Sequence, residues 1–332
     1  MSRICDAIRD GVVVTVDDIE CLGSVNMDGA ARSYYNSGID QEQTLKENRA
    51  AFLSFGTRPI QRQAATTANV LLIANRFAFG EEFTGISSRT SSHQTAHNLQ
   101  SFYVALSAAA RDAETLMVLS SFSNYCIEDV RGAAPEGLRW FQLHVFRDRE
   151  FTRNLVGRAE KAGYRALVLT VDLPVNGGHE YNKKDFRTPS RLRLFGNFEG
   201  TSRHEDADPR VADYDNILDP SLTWRDVTWL KGITKLPVVA KGICTAEDAE
   251  EAIRHGVSAI WVSNHGARQL DGLPSTIEVL PEIVSAVRDR VEVYMDGGAR
   301  HGTDVVKALA LGAKAVFVGR PALWGLAYNV SQ

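Results

Sequence analysis

Seven apolar runs recur in the sequence from residue 115 onward, each followed by an amphipathic stretch, and few folds satisfy that rhythm. The runs are TLMVLSS (115–121), LRWFQLHV (138–145), YRALVLTVD (164–172), LPVVAKG (236–242), AIWVSNHG (259–266), VEVYMDGG (291–298) and AVFVGR (315–320). Each is apolar throughout rather than at alternate positions, which is how strands covered on both faces read. Between them lie stretches of helical pattern such as DREFTRNLVGRAEKAG, TAEDAEEAIRHG and STIEVLPEIVSAVRD. Two of these close on glycine, a helix C-terminal signal. Repeated strand–helix units predict an α/β fold with a parallel sheet.

A closed TIM (β/α)8 barrel needs an eighth strand. ANVLLIA (68–74) and FTGISS (83–88) both qualify, and the choice between them stays open. A doubly wound open sheet is the competing arrangement. The chain reads as a single domain over 1–332, with a helical segment at 1–58. A long polar connection at 173–222, after the fourth barrel strand, has the length of a lid. The sequence ends about a dozen residues after its last strand, so the last barrel helix is expected to be missing.

Composition excludes several partners. With 37 Lys and Arg against 41 Asp and Glu, the net charge of −4 offers no basic field for nucleic acid or an anionic membrane. No apolar run approaches the roughly 18 residues of a membrane helix, and the N-terminal MSRICDAIRDG lacks a secretory pattern. Cys5, Cys21, Cys126 and Cys244 are scattered with no CxxC, which points to reduced thiols, no metal site and a cytoplasmic setting.

In parallel barrels chemistry gathers at the C-terminal ends of the strands. Those ends supply Ser120 and Ser121, Gln142 and His144, Thr170 and Asp172, Lys241, His265 and Arg268, Asp296 and Arg300, then Gly319 and Arg320. So many polar groups on one rim are costly to bury unless a ligand satisfies them. DGGAR (296–300) and GR (319–320) place glycines and arginines on the last two strands, where barrels of this kind hold phosphate. Taken singly, each glycine group is equally well a tight turn. Lys241 fits a solvated strand end, a Schiff-base nucleophile or a fixed cation, and spacing does not separate these. His265 alone reads as structural. With Arg268 three residues on to grip a carboxylate, and Asp296 on the next strand to orient the ring, it reads as the base that deprotonates a 2-hydroxy acid.

SNHGARQLDG, DGGARHGTDVVKALALGAKAVFVGRP, LPVVAKGI and SYYNSG…EQTLKENRAAF resemble the FMN-dependent 2-hydroxy acid oxidases, the group of glycolate oxidase and the animal hydroxyacid oxidases. The likeness covers residues 26–58 and about 113–328, more loosely at 173–215. It implies a TIM barrel with FMN at its C-terminal mouth, held at the ring and ribityl chain by Ser120, Gln142, Thr170, Lys241 and Ser263. Asp296, Gly297, Gly298, Ala299 and Arg300, with Gly319 and Arg320, would hold the ribityl chain and phosphate. His265 would be the catalytic base, and Tyr34 and Arg268 would bind the substrate carboxylate. The implied reaction oxidises a 2-hydroxy acid to the 2-oxo acid and reduces O2 to hydrogen peroxide, in a homo-oligomer (a tetramer by resemblance) of the peroxisome. No C-terminal targeting tripeptide ends this sequence.

The departures from the family pattern are informative. Gln-Leu-Tyr becomes Gln142-Leu143-His144, which replaces a substrate-facing phenol with an imidazole able to carry charge. Gly-x-Arg on the lid becomes Gly177-Gly178-His179, with Lys183 and Lys184 nearby as substitute cations. Phe122 stands where the family has tryptophan. Residues 59–105 resemble the family only at Gln94, Ala96 and His97, and Thr90-Ser91-Ser92 stands in for its Pro-Thr-Ala segment. The alternative these departures support is an FMN-binding protein with little or no turnover.

Overall fold

The computed structural model describes residues 13–27, 29–56, 102–173, 196–198 and 217–329. Three helices lead: α1 (Val16–Asn26), α2 (Gly29–Asn36) and α3 (Gln43–Ser54), with α4 (Phe102–Asp112) before the sheet. Strand and helix then alternate through β1 (Met117–Ser120), α5 (Ile127–Ala133), β2 (Arg139–Leu143), α6 (Arg149–Lys161) and β3 (Leu167–Thr170). The second half continues with α7 (Trp224–Ile233), β4 (Val238–Ile243), α8 (Ala246–Arg254), β5 (Ala259–Val262) and α9 (Thr276–Val287). It closes with β6 (Glu292–Asp296), α10 (Gly302–Ala310), β7 (Ala315–Phe317) and α11 (Arg320–Asn329). Each strand falls inside one of the seven apolar runs, except that β4 extends one residue past its run, to Ile243.

The strands form one parallel sheet in the order β1 to β7. Alternate residues face two separate cores, which explains why the runs are apolar throughout. Leu119, Phe141, Leu169, Ala240 and Ile260 pack outward against the helices. Val118, Val168, Val239, Trp261 and Phe317 fill the inside. The sheet curls: Trp140 of β2 lies 5.7 Å from the Tyr294 ring of β6 and 6.1 Å from Phe317 of β7. Rings from the second and the last two strands meet only if the sheet wraps round on itself, as in a barrel. Both candidates for the eighth strand, 68–74 and 83–88, lie outside the described residues.

One expectation is corrected. A ten-residue helix, α11, does follow the last strand, because the chain turns into it directly at Arg320. Leu323, Trp324 and Ala327 of α11 are buried against α1. The approach is close enough that a Cβ on Gly23 would sit 2.3 Å from the Trp324 carbonyl oxygen. A second correction concerns thiols: Cys21 is disulfide-bonded, whereas Cys126 and Cys244 are free.

Of the connection at 173–222, the described turn Gly196–Phe198 docks firmly on the end of β1. Asn197 accepts from the Ile127 amide at 2.9 Å and donates to the Ser121 carbonyl at 3.1 Å. Phe198 stacks on Phe122, with ring centroids 5.9 Å apart.

Candidate active site

The first four strands end in buried polar side chains, two of which bond to one another. Register sets Ser120 beside Gln142 and Thr170 beside Lys241. Gln142 donates to Thr170 Oγ1 at 2.8 Å and accepts from the Ser121 amide at 3.3 Å, while Ser120 Oγ accepts from the Phe122 amide at 3.1 Å. All four side chains are buried. Next to them His144 is also buried, in ring contact with Phe122 at 5.3 Å. Its Nε2 has no hydrogen-bond partner among the described residues. Burial, and then the neighbouring His265, push its pKa down to about 3, so the charge that an imidazole here could have carried is absent at neutral pH.

His265 sits on a strained turn. After β5 the chain passes through three left-handed residues, His265 (φ 57°), Gly266 (φ 63°) and Ala267 (φ 63°). For the two that carry a Cβ this conformation costs roughly 1–2 kcal/mol each. The turn is held at several points. His265 N donates to Ser263 Oγ at 3.1 Å, Ala267 N to the Asn264 carbonyl at 2.9 Å, and Ile39 N to the Ala267 carbonyl at 2.9 Å.

The partner of the His265 ring is Asp172, at 2.8 Å from Nδ1. The sequence pointed to Asp296 for this role. Asp296 instead accepts from Ser263 Oγ and Trp261 Nε1, both at 2.9 Å. Asp172 reaches the imidazole because β4 has a glycine in the way: a Cβ on Gly242 (φ 112°) would lie 2.6 Å from the Asp172 side chain. Lys241 Nζ completes the cluster, 3.7 Å from Asp172 Oδ2 and 3.5 Å from His265 Nδ1. Lys241 thus sits as a paired cation. Burial alone would raise the Asp172 pKa, but the His265 ring and the Lys241 ammonium outweigh it and hold the carboxyl at about 2. Burial pushes His265 down, partly offset by Asp172. At neutral pH the pair is a carboxylate and a neutral imidazole. With Nδ1 hydrogen-bonded to the carboxylate, Nε2 is the basic nitrogen.

Arg268 and Tyr34 lie in contact. The guanidinium lies 4.3 Å over the Tyr34 ring and donates from Nη1 to the Tyr34 carbonyl at 2.7 Å. Its buried Nη2 has no partner among the described residues, which suits it to grip a carboxylate. His179, the expected lid contact, lies outside the described residues.

On the far side, a cleft partly open to solvent runs from Lys241 and His265 past Asp296–Arg300 to Gly319, Arg320 and Pro321. Its end is strongly cationic. Arg300 is lowered to about 10, first by burial and then by Arg49, and its Nε has no partner among the described residues. Arg320 is lowered to about 9, first by burial and then by Arg268 and Arg300. Cations crowded this way fit a bound anion, and the start of α11 offers backbone N–H groups beside them. Arg320 also does something the sequence did not suggest. It donates from Nε to the Tyr35 carbonyl at 2.6 Å, from Nη2 to Ser37 at 2.9 Å and from Nη1 to Gly266 at 3.0 Å. Two of the five guanidinium N–H groups then remain for a ligand.

The arrangement is a cleft with crowded arginines at one end and a buried carboxylate–imidazole pair at the other. A family model described as FMN-dependent dehydrogenase matches residues 24–332. Human 2-Hydroxyacid oxidase 1 is 41% identical over 327 residues, covering 96% of this chain and 86% of its own length. Glycolate oxidase 1 of Oryza sativa subsp. indica is 41% identical over 322 residues, with the same coverage of 96% and 86%. A crystal structure of mandelate oxidase matches with a TM-score of 0.80 at 33% identity, over 96% of this chain and 88% of that one. The chain belongs to the FMN-dependent dehydrogenase family, and FMN is its cofactor.

Sequence reasoning missed Asp172 as the ring partner, because the two residues are 93 positions apart. The signal was present, since Asp172 ends a strand on the same rim. It also missed Asn197, a buried polar residue in a stretch that reads only as a polar loop.

Proposed function

We propose that the protein oxidises 2-hydroxy acids to 2-oxo acids, with O2 as the electron acceptor and hydrogen peroxide as the second product. The observation that carries this reading is the buried Asp172–His265 pair beside Arg268. A carboxylate gripped by Arg268, with Tyr34 alongside, puts a 2-hydroxy group within range of a neutral imidazole. His265 takes a proton from the substrate at Nε2. The positive charge this creates is offset by Asp172 at Nδ1, and no reorganisation is needed because the carboxylate is already in place. When bound, FMN supplies the two-electron acceptor for the reaction. Gln142, Thr170, Lys241 and Ser263 fit the ring end of the cofactor, Lys241 as a cation able to stabilise an anionic ring. Residues 296–300 with Gly319 and Arg320 fit the ribityl chain and phosphate.

The small substrate and O2 are the expected partners. Among the described residues no helix is long and apolar enough to cross a membrane. Peroxisomal location and tetrameric assembly belong to the same proposal, checked by cell fractionation and by light scattering.

The test is a visible spectrum of the purified chain with FMN, followed by glycolate, lactate and a long-chain 2-hydroxy acid without oxygen. Bleaching of the flavin band is expected with at least one acid. A flavin that binds and stays yellow with all of them would reject turnover and leave an FMN-binding protein.

A further inference from the structure

Asn48 of α3 and Asn264, at the end of β5, exchange both side-chain hydrogen bonds although 216 residues separate them. Asn48 Nδ2 donates to Asn264 Oδ1 at 2.9 Å, and Asn264 Nδ2 donates back to Asn48 Oδ1 at 2.8 Å. Both residues are at least 98% buried, with exposures of 2% and 1%. Asn48 borders the cavity, yet its amide is committed to protein on both sides, since Oδ1 also accepts from the Thr276 amide at 3.4 Å.

What Asn264 holds gives this pair its meaning. It is the residue from which the left-handed run 265–267 departs. Its backbone carbonyl and its Oδ1 both accept from Ala267 N, at 2.9 and 3.3 Å. A backbone in this conformation persists only where its surroundings fix it. The Asn264 side chain is oriented by the Asn48 amide, with one further contact to the Pro274 carbonyl at 3.3 Å. On its other side α3 abuts the glycine loop after β6, where a Cβ on Gly298 would lie 1.7 Å from the Asn48 carbonyl oxygen. Asn48 is therefore wedged between the loop that carries the imidazole and the loop that borders the phosphate end of the cavity.

We infer that Asn48 is a positioning residue for His265: its amide fixes Asn264, and Asn264 holds the left-handed turn that aims the imidazole at Asp172. The inference rests on His265 acting as the base, as proposed above. The test uses the full chain loaded with FMN, as wild type, N48A, A267G and the double variant. Anaerobic flavin reduction gives the limiting rate and the half-saturating substrate concentration separately, and FMN affinity is titrated by fluorescence. N48A is expected to slow the limiting rate about tenfold, the scale of a small misplacement of a reacting group. Half-saturation and FMN affinity should each change less than about threefold.

In the A267G background the same N48A substitution should cost about threefold or less, because glycine takes the left-handed conformation without a Cβ penalty. A merely structural role of Asn48 would give equal losses in both backgrounds, and that result would overturn the inference. So would a loss confined to half-saturation or to FMN affinity. Should N48A not fold, N48D keeps the volume and sets an oxygen against Asn264 Oδ1. An unchanged limiting rate in N48D would equally overturn the inference. A wild-type flavin that no acid reduces would instead reject the proposed function, which separates the two failures.

Discussion

The loop after β5 is braced by hydrogen bonds to helices α2, α3 and α11, whereas the ends of β1 and β2 lean on aromatic rings and a fragment of the 173–222 connection. On the first side, Asp271 accepts from the amides of Gln41, Gln43 and Thr44, and Arg320 donates to carbonyls of α2 and of the His265 turn. On the second, Phe122 sits among His144, Phe146 and Phe198. Hydrogen bonds fix an atom to within a few tenths of an ångström; ring packing fixes a volume but tolerates exchange of one ring for another. The braced side carries His265, Arg268 and Arg320. The packed side holds Phe122 and His144, the two strand-end residues that the resemblance marked as departures from the family pattern.

The comparison breaks at once if the base can be removed without consequence. His265→Gln should slow flavin reduction by about 10²–10⁴-fold, the usual worth of a positioned base, while FMN stays bound. Unaltered stopped-flow traces would remove His265 from the reaction. The pH dependence sharpens the point. Burial lowers the His265 pKa below its ordinary 6.5, so the free base persists as pH falls, and kcat/KM should decline only below pH 6.5. Asp172 raises that pKa. Asp172→Asn should therefore move the acid limb to still lower pH while reducing the plateau. A limb that moves upward would show that Asp172 does not act on the ring.

Much of this was legible in the sequence, and the boundary has a physical cause. The seven strands could be read because burial on both faces forces unbroken apolar runs, as in AIWV before the SNHGARQ turn. The rim residues followed from the rule that parallel strands end at the site. Contacts between a side chain and a distant backbone were not legible. Arg320 reaching the carbonyls of Tyr35 and Ser37, Asp271 capping α3, and Asn197 holding Ser121 leave no periodic trace. The choice of Asp296 over Asp172 failed for the same reason: chain order says which strand end carries a carboxylate, not which one faces the ring. The last helix was missed because ten residues that begin on an arginine already counted as a ligand did not read as a separate element.

The double duty of Arg320 gives the next effect in size. Arg320→Ala removes the donors of three carbonyls, at about 1 kcal/mol each, but also relieves a buried cation crowded by Arg268 and Arg300, so at most about 3 kcal/mol of stability should go even without FMN. For a chain of this size that lowers the melting temperature by at most roughly 5–10 °C. Arg300→Ala, whose guanidinium donates to one carbonyl and lies 5.0 Å over the Trp324 ring, should weaken FMN binding with a smaller change in melting. Equal melting temperatures for the two apoproteins would show that the bracing of α2 does not depend on Arg320.

The smallest effect belongs to the packed side. His144→Phe keeps a ring against Phe122 and removes only the nitrogens, one of which has no partner among the described residues. Because burial and His265 hold His144 neutral, its replacement takes away a hydrogen bond to substrate but no charge. That is worth about 0.5–1.5 kcal/mol, seen as a KM raised roughly threefold to tenfold with the limiting rate nearly unchanged. The substitution should also leave the acid limb of the pH profile in place, since a group already neutral contributes no charge to His265. A large fall in the limiting rate would place His144 with the braced side, as a group that handles a proton, and would erase the distinction between the two walls.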